Sequence, residues 1–284
     1  MRRSLLFIPA NSPAMLQNAD VFNADGVIFD LEDAVLVSEK DAALSLVSEY
    51  LKKFKFDNLE IIIRINGLDT PFSKDDLDCI VNDHINTIML PKATYENTLE
   101  LSKIIQKIEK QKKLKKKISI IPIIELAKSV IEVNQIASVA RVSGLLLGGE
   151  DLATDLEVDR TEEGLEILLS RSMVVLAAKA NQIDAIDTPY IKTQNEEGLL
   201  KDAKKAKGLG MNAKSCIHPN QIDVINQVFS PSEQEIEDAK KIIQVISDEK
   251  NKQKGAFSID GKMIDKPIIE RAQKILKKAK DWNL

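Results

Sequence analysis

The sequence predicts an α/β fold, a (β/α)8 TIM barrel followed by a C-terminal helical arm. Three observations lead there. Short runs rich in Ile, Leu and Val recur eight times, at 4–10, 26–32, 60–66, 87–92, 118–125, 144–149, 182–189 and 213–218. Amphipathic segments of helical length lie between them, at 12–23, 39–54, 95–114, 127–138, 161–181 and 195–210. A repeat of roughly 25–30 residues, taken eight times, fits a barrel of about 250 residues.

The individual elements carry their own signals. Val27-Ile28-Phe29 and Ile120-Ile121-Pro122-Ile123-Ile124 are continuously apolar, as parallel strands buried on both faces are. Ser12 and Ser73 are expected N-caps, and Pro13 suits a first helical turn. Gly208 and Gly210 stand where a helix should stop. An open doubly wound sheet is the alternative, but the chain has neither G-x-G-x-x-G nor a Walker loop. Beyond His218, residues 219–228 and 232–250 read as helical, a polar link covers 248–255, and a last helix runs from about 268 to 280. The expected division is a catalytic barrel over 1–228 and an extension over 229–284. The extension is expected to pack on its own or a neighbouring subunit.

Composition narrows the function. Of 284 residues, 44% are hydrophobic and 30% charged, which excludes general disorder. Lys plus Arg is 40 against 44 Asp plus Glu, and aromatics are 4%, so no nucleic-acid partner is expected. Lys112, Lys113, Lys115, Lys116 and Lys117 read as a solvated helix end. Cys79 and Cys216 are far apart and suggest neither a disulfide framework nor zinc. No run reaches the roughly 20 apolar residues of a membrane span. The apolar stretch at 5–9 is too short for a signal-peptide core, so a cytoplasmic protein is expected.

Barrel enzymes place their chemistry at the C-terminal ends of the strands. Polar residues gather there: Asp30, Glu32 and Asp33 after the second run, Arg64 and Asn66 in the third, and Lys92 after the fourth. Glu125 follows the fifth, Glu150 and Asp151 the sixth, and His218 the eighth. A carboxylate closing Ile-Pro-Ile-Ile is costly to desolvate without a cation. Glu125 is therefore either salt-bridged or a metal ligand or base. Asp151 either caps a short helix or joins Glu125 at adjacent strand ends. Two such carboxylates, completed by substrate oxygens and waters, suit Mg²⁺, and the lack of His and Cys argues against zinc. Arg64, among isoleucines, must meet an anion, either Glu32 or Asp33 or a substrate carboxylate. Lys92 neutralises the acidic cluster or, less simply, forms a Schiff base. His218 is a candidate substrate contact, and His84 has an ordinary helix-end setting. One cation, one arginine and extra carboxylates suit chemistry on a small keto- or hydroxy-acid. Carbon–carbon cleavage, isomerisation and phosphoenolpyruvate-type chemistry all remain open on spacing alone.

A set of motifs then carries a resemblance. They are Arg3-Ser-Leu-Leu-Phe-Ile-Pro9, Phe29-Asp-Leu-Glu-Asp-Ala-Val35, Ser38-Glu-Lys-Asp-Ala42 and Arg64-Ile-Asn-Gly-Leu-Asp-Thr-Pro-Phe72. Leu90-Pro-Lys92, Ile124-Glu125, Gly149-Glu150-Asp151-Leu152 and Asn195-Glu-Glu-Gly198 follow, then Lys214-Ser-Cys-Ile-His-Pro219 and Ile259-Asp-Gly-Lys-Met-Ile-Asp-Lys-Pro267. In this order they resemble the citrate lyase beta subunit and its relatives, within the HpcH/HpaI aldolase group that includes malyl-CoA and citramalyl-CoA lyases. The resemblance spans essentially the whole chain. It implies a TIM barrel with Mg²⁺, a homotrimer or hexamer, and cleavage of citryl thioester to oxaloacetate and acetyl thioester. It places Glu125 and Asp151 on the metal ligands and Arg64 on the substrate-binding arginine. Asp265 falls on an acid/base carboxylate that reaches a neighbouring subunit's site. In this scheme Asp33 organises water at the cation. Gly149-Glu150-Asp151-Leu152 followed by Thr154-Asp155 looks like the stand-alone relatives, whereas Thr70-Pro-Phe72 and Asn195-Glu-Glu-Gly198 look like subunits of the complex. Acyl carrier protein and coenzyme A are thus both expected carriers, with alpha and gamma subunits as partners in the first case. A stand-alone citramalyl- or malyl-CoA lyase is the alternative, and a non-catalytic assembly subunit a further one.

Overall fold

The computed structural model describes residues 2–56, 59–247, 257–259 and 262–284. Eight parallel strands close into a barrel in chain order. They are β1 (Ser4–Pro9), β2 (Gly26–Asp30), β3 (Glu60–Arg64), β4 (Thr87–Leu90), β5 (Ser119–Ile124), β6 (Gly144–Leu147), β7 (Asp184–Asp187) and β8 (Ala213–Cys216). The seam is made by β1 against β8, with Ser4 opposite Lys214 and Leu6 opposite Cys216.

Strand alternation explains the barrel core. Leu5, Ile28, Ile62, Met89, Ile121, Ile123, Leu146, Ile186 and Ala213 form one buried cluster, to which every strand contributes. Their neighbours, such as Val27 and Phe29, are also buried, because the outer face carries helices. Phe29 meets Tyr50 of α2 (Lys40–Lys53) edge to face at 6.0 Å. The N-terminal end of the barrel is closed by Arg2. Its guanidinium donates to both oxygens of Glu60 at 2.6 and 2.7 Å, to Asp184 Oδ2 at 2.9 Å and to Ser143.

The helices depart from the sequence reading where side chains compete for the backbone. In place of a helix over 12–23 there is the short α1 (Pro13–Gln17). Asn18 turns its amide back to the Ala14 carbonyl, and Asn23 is left-handed at φ 57°. Ser12 occupies the N-cap position of α1 without a side-chain hydrogen bond. Ser73 is not a cap. It begins α3 (Ser73–Ile80), and its hydroxyl donates to the carbonyls of Leu68 and Thr70. α4 (Tyr95–Lys112) starts from a capping box of Thr94 and Asn97. The segment 127–138 divides into α5 (Ala127–Ile131) and α6 (Val133–Ser138), where Glu132 accepts a hydrogen bond from the Tyr95 amide.

A short α7 (Gly149–Asp155) follows β6. The next helix, α8 (Leu168–Ala180), begins later than expected, because 161–167 is a loop tied by Arg160, Thr161 and Glu166 and turned at Gly164. α9 (Glu196–Leu209) is capped by Asn195 and ends at Gly210, left-handed at φ 110°, while Gly208 lies inside the helix. A 3-10 turn, Pro219–Gln221, leads into α10 (Ile222–Phe229).

The chain divides into two compact units, Arg2–Asn226 and Gln227–Leu284. The second unit contains α11 (Glu233–Ser247), an antiparallel pair of β9 (Phe257–Ile259) and β10 (Lys262–Ile264), and α12 (Lys266–Asp281). The polar link expected at 248–255 lies outside the described residues, as do Asp260 and Gly261 of the last motif. Among the described residues, no helix is long and apolar enough to cross a membrane.

Candidate active site

Each apolar run ends one or two residues after its strand, and these overhangs form the site. Asp30 is the last residue of β2, Arg64 the last of β3, and Glu125 follows β5 directly. Asp30 and Arg64 are register partners across β2 and β3. Their side chains meet as a two-point pair, Nε to Oδ1 at 2.7 Å and Nη2 to Oδ2 at 2.5 Å. Glu32 sits beside them, 3.0 Å from Arg64 Nη1. That approach lacks hydrogen-bond geometry, so among the described residues Glu32 Oε2 is buried without a hydrogen-bond donor. Phe7 covers the guanidinium face at 5.1 Å. Burial opposes the charge on Arg64, but the hydrogen bond to Asp30 and the charges of Asp30, Glu32 and Asp33 outweigh it and hold its pKa above the ordinary value.

Glu125 is 2% exposed. Its Oε1 accepts the backbone N–H of Lys92 at 2.5 Å. Lys92 presents that N–H from a left-handed conformation, φ 46°. Gly148, after β6, makes room for the carboxylate, since a Cβ there would stand 2.6 Å from Glu125 Cβ and Oε2. Burial pushes the Glu125 carboxyl up to about 8; the Lys92 amide opposes this, while the charges of Asp151 and Glu32 add to it. Burial likewise raises Glu32 to about 7, against the pull of Arg64. Asp151 lies exposed in the first turn of α7. The N–H of Gly149, at the start of that helix, donates to the Thr188 hydroxyl at 3.0 Å.

The donor set suits a hard divalent cation. The charge of Asp151 disfavours that of Glu125, and among the described residues no cationic side chain is hydrogen-bonded to Glu125. Among the described residues no three His, Cys, Asp or Glu side chains form a complete ligand group. Two carboxylates with the remaining positions left to water and substrate is the usual protein share of a Mg²⁺ site.

The structure therefore gathers Arg64, Glu125 and Asp151, with Asp33 near enough for its charge to act on Arg64 and Glu32. Asp265 belongs to the C-terminal unit, where its Oδ1 accepts the Ile268 N–H as the N-cap of α12. The sequence offers Arg64 either Glu32 or Asp33 or a substrate carboxylate as its anion; Glu32 is indeed 3.0 Å away, but the principal partner is Asp30, because register places it directly alongside. Lys92 Nζ lies 3.8 Å from Glu32 with its side chain 56% exposed, a neutralising position. His218 is exposed, and its Nδ1 accepts the Asn220 amide. Lys214 turns away from the mouth to a buried cluster, donating to Asp187, Asp202 and the Thr188 carbonyl, each at 2.6 Å. The role of the Lys92 amide depends on backbone conformation and has no signal in the residue types.

Comparison with known proteins decides the family. The model of the HpcH/HpaI aldolase/citrate lyase family matches residues 3–219. The chain belongs to this family. It is 39% identical to the citrate lyase subunit beta of Leuconostoc mesenteroides subsp. cremoris over 98% of this chain and 93% of the relative. It is 30% identical to human mitochondrial citramalyl-CoA lyase over 96% of this chain and 84% of the relative. Its fold matches the crystal structure of CitE from Mycobacterium tuberculosis in complex with magnesium, acetoacetate and coenzyme A, at TM-score 0.80 and 28% identity over 98% of both chains.

Proposed function

We propose that the chain is the Mg²⁺-dependent carbon–carbon lyase of a citrate lyase, cleaving citryl thioester to oxaloacetate and acetyl thioester. The observation that carries this reading is the buried Glu125 carboxylate, set in one barrel mouth with Asp151 and the Asp30–Arg64–Glu32 group. Glu125 and Asp151 would hold Mg²⁺, which supplies Lewis-acid polarisation of the hydroxy-acid end of the substrate.

The protein groups divide the remaining work. Lys92 fixes Glu125 through its amide. Asp30 fixes the plane of Arg64, whose other N–H donors face a substrate carboxylate or the enolate oxygen. The substrate hydroxyl gives its proton to a nearby base at the barrel mouth as the carbon–carbon bond breaks. Its oxygen becomes the keto group of oxaloacetate, and the bond's electron pair moves onto the α-carbon of the acetyl thioester. Arg64 stabilises that negative charge. Asp33 orders water at the mouth. Asp265, from the C-terminal unit of a neighbouring subunit, gives the enolate carbon its proton. In this reading the chain works as a homotrimer or hexamer, with alpha and gamma subunits beside it when the acyl group rides on a carrier protein.

A coenzyme A lyase for citramalyl- or malyl-CoA is the second reading, favoured by the likeness to human citramalyl-CoA lyase. Turnover with Mg²⁺ separates the two. Citryl thioester on acyl carrier protein is compared with citryl-, malyl- and citramalyl-CoA, and oxaloacetate, glyoxylate and pyruvate are each assayed. Preferred release of oxaloacetate from the carrier-protein substrate is expected. Preference for citramalyl- or malyl-CoA would establish the second reading. Inactivity on all four, with no Mg²⁺ bound, would leave an assembly subunit.

A further inference from the structure

Lys40 lies in the motif Ser38-Glu-Lys-Asp-Ala42, to which the chemistry above assigns no task. It is the first residue of α2, the end of a helix where a cation is disfavoured. Its side chain turns back instead. Nζ donates to the carbonyl of Leu31 and to that of Glu32, both at 2.8 Å. The same ammonium lies 5.8 Å over the Phe72 ring, and its charge steadies Asp76, which in turn accepts the Asn66 amide. Lys40 thus ties the loop after β2 to the loop after β3.

Asp30 is a second side-chain anchor of the loop after β2, beside the backbone bonds from Leu31 N–H to the Arg64 carbonyl at 2.9 Å and from Val35 N–H to the Glu32 carbonyl at 3.1 Å. Its Oδ1 accepts the Glu32 N–H at 2.9 Å and its Oδ2 the Ala34 N–H at 3.1 Å. Asp30 holds the amide side of residue 32 and Lys40 holds the carbonyl side. Between these two points the Glu32 carboxylate is kept against Arg64, although Oε2 gains no hydrogen bond there. A buried carboxylate without that reward leaves its place unless the backbone is fixed.

We infer that Lys40 is a positioning residue of the active site, acting through the Glu32 backbone to hold the Glu32 carboxylate beside Arg64. The kinetic part of its test rests on the lyase reading; the structural part does not. The variants are Lys40→Met, Lys40→Arg, Glu32→Gln and the double variant Lys40→Met/Glu32→Gln. Lys40→Met should lower kcat on the order of 10- to 100-fold, with KM for the thioester changed less than about threefold, since a displacement of about 1 Å costs that much in rate. Lys40→Arg should recover part of the loss. In the Glu32→Gln background, Lys40→Met should cost less than about threefold, because residues acting as a unit are not additive. Additive effects, or a loss matched by the fall in folded protein, would overturn the inference. A crystal structure of Lys40→Met should show Arg64 Nη1 and Glu32 Oε2 parted beyond about 4 Å, the limit of an ion pair. Retention of the 3.0 Å approach would overturn it. If the wild-type protein releases no oxaloacetate, the lyase reading fails and the crystal structure still decides the role of Lys40.

Discussion

The N–H of Lys92 donates to Glu125 Oε1 at 2.5 Å, and it does so from a backbone conformation that costs a lysine energy. The main chain, not the ammonium, ties this residue to Glu125.

Two substitutions separate the two groups. Lys92→Gly keeps the amide, relaxes the positive φ and removes an exposed charge of small worth. It should keep kcat within about fivefold and raise stability by up to about 1 kcal/mol, the difference between left-handed strain and glycine's entropy. Lys92→Pro has no N–H and should abolish turnover. Steady-state kinetics and thermal melts of both variants check the assignment, and an active proline variant would refute it.

Gly148→Ala places a methyl group 2.6 Å from Glu125 Oε2. Either the carboxylate or the start of α7 must move. Mg²⁺ affinity, measured by calorimetry, should fall at least about tenfold, as when a group that orients a metal ligand is lost. Unchanged affinity would remove Glu125 from the ligand set.

The metal-free protein should lose stability as pH rises. Glu125 titrates at about 8 in the folded chain, against 4.5 ordinarily. Between those values the folded state holds a proton that the unfolded state has released, so unfolding becomes easier as pH increases. Glu32, raised to about 7, adds in the same direction. Melting temperature should therefore fall from pH 5 to pH 8 without metal, and added Mg²⁺ should raise it more at pH 8 than at pH 6. Glu125→Gln should flatten most of the slope, and an undiminished slope would assign it elsewhere.

Arg64→Ala should reduce turnover on the order of 10²–10³-fold, the usual loss for one electrostatic stabiliser. Arg64→Lys should not restore it, because a lysine cannot make the two-point pair with Asp30. Near-normal turnover in either variant would exclude the role.

At the opposite end, Arg2→Ala leaves Glu60 and Asp184 without their cation. Both are partly exposed, so the cost should be about 2–3 kcal/mol, below that of a fully buried pair. Burial raises the Glu60 pKa, but its bonds and charge contact with Arg2 win and hold it below the ordinary value. The stabilisation is thus present at neutral pH and lost as acid protonates Glu60. Denaturant melts check the cost, and kcat of the remaining folded protein should not change.

Much of this was legible because a barrel repeats one simple rule. Short apolar runs, several of them continuous, marked all eight strands, and the polar residues that ended them marked the mouth. Glu125 and Arg64 stood out because a charge after Ile-Ile or among isoleucines has no inexpensive explanation. Short helices were harder to read. The division of 127–138 at Glu132 and the end of α1, where Asn18 turns on its own backbone, leave no periodic trace. Asp30 was visible as a strand end, but its pairing with Arg64 depends on the register between β2 and β3.

The seam of the barrel sets an order on its birth. Ser4 pairs with Lys214 and Leu6 with Cys216, so the first strand finds its last neighbour only after nearly the whole unit has been synthesised. Until then β1 shows a ribosome-bound chain an open edge, and β2 is the only strand it can adhere to. A product broken off before β8 keeps Glu125 and Arg64 in sequence but cannot close the cylinder. It should be cleared by proteases or chaperones instead of persisting as a partial enzyme.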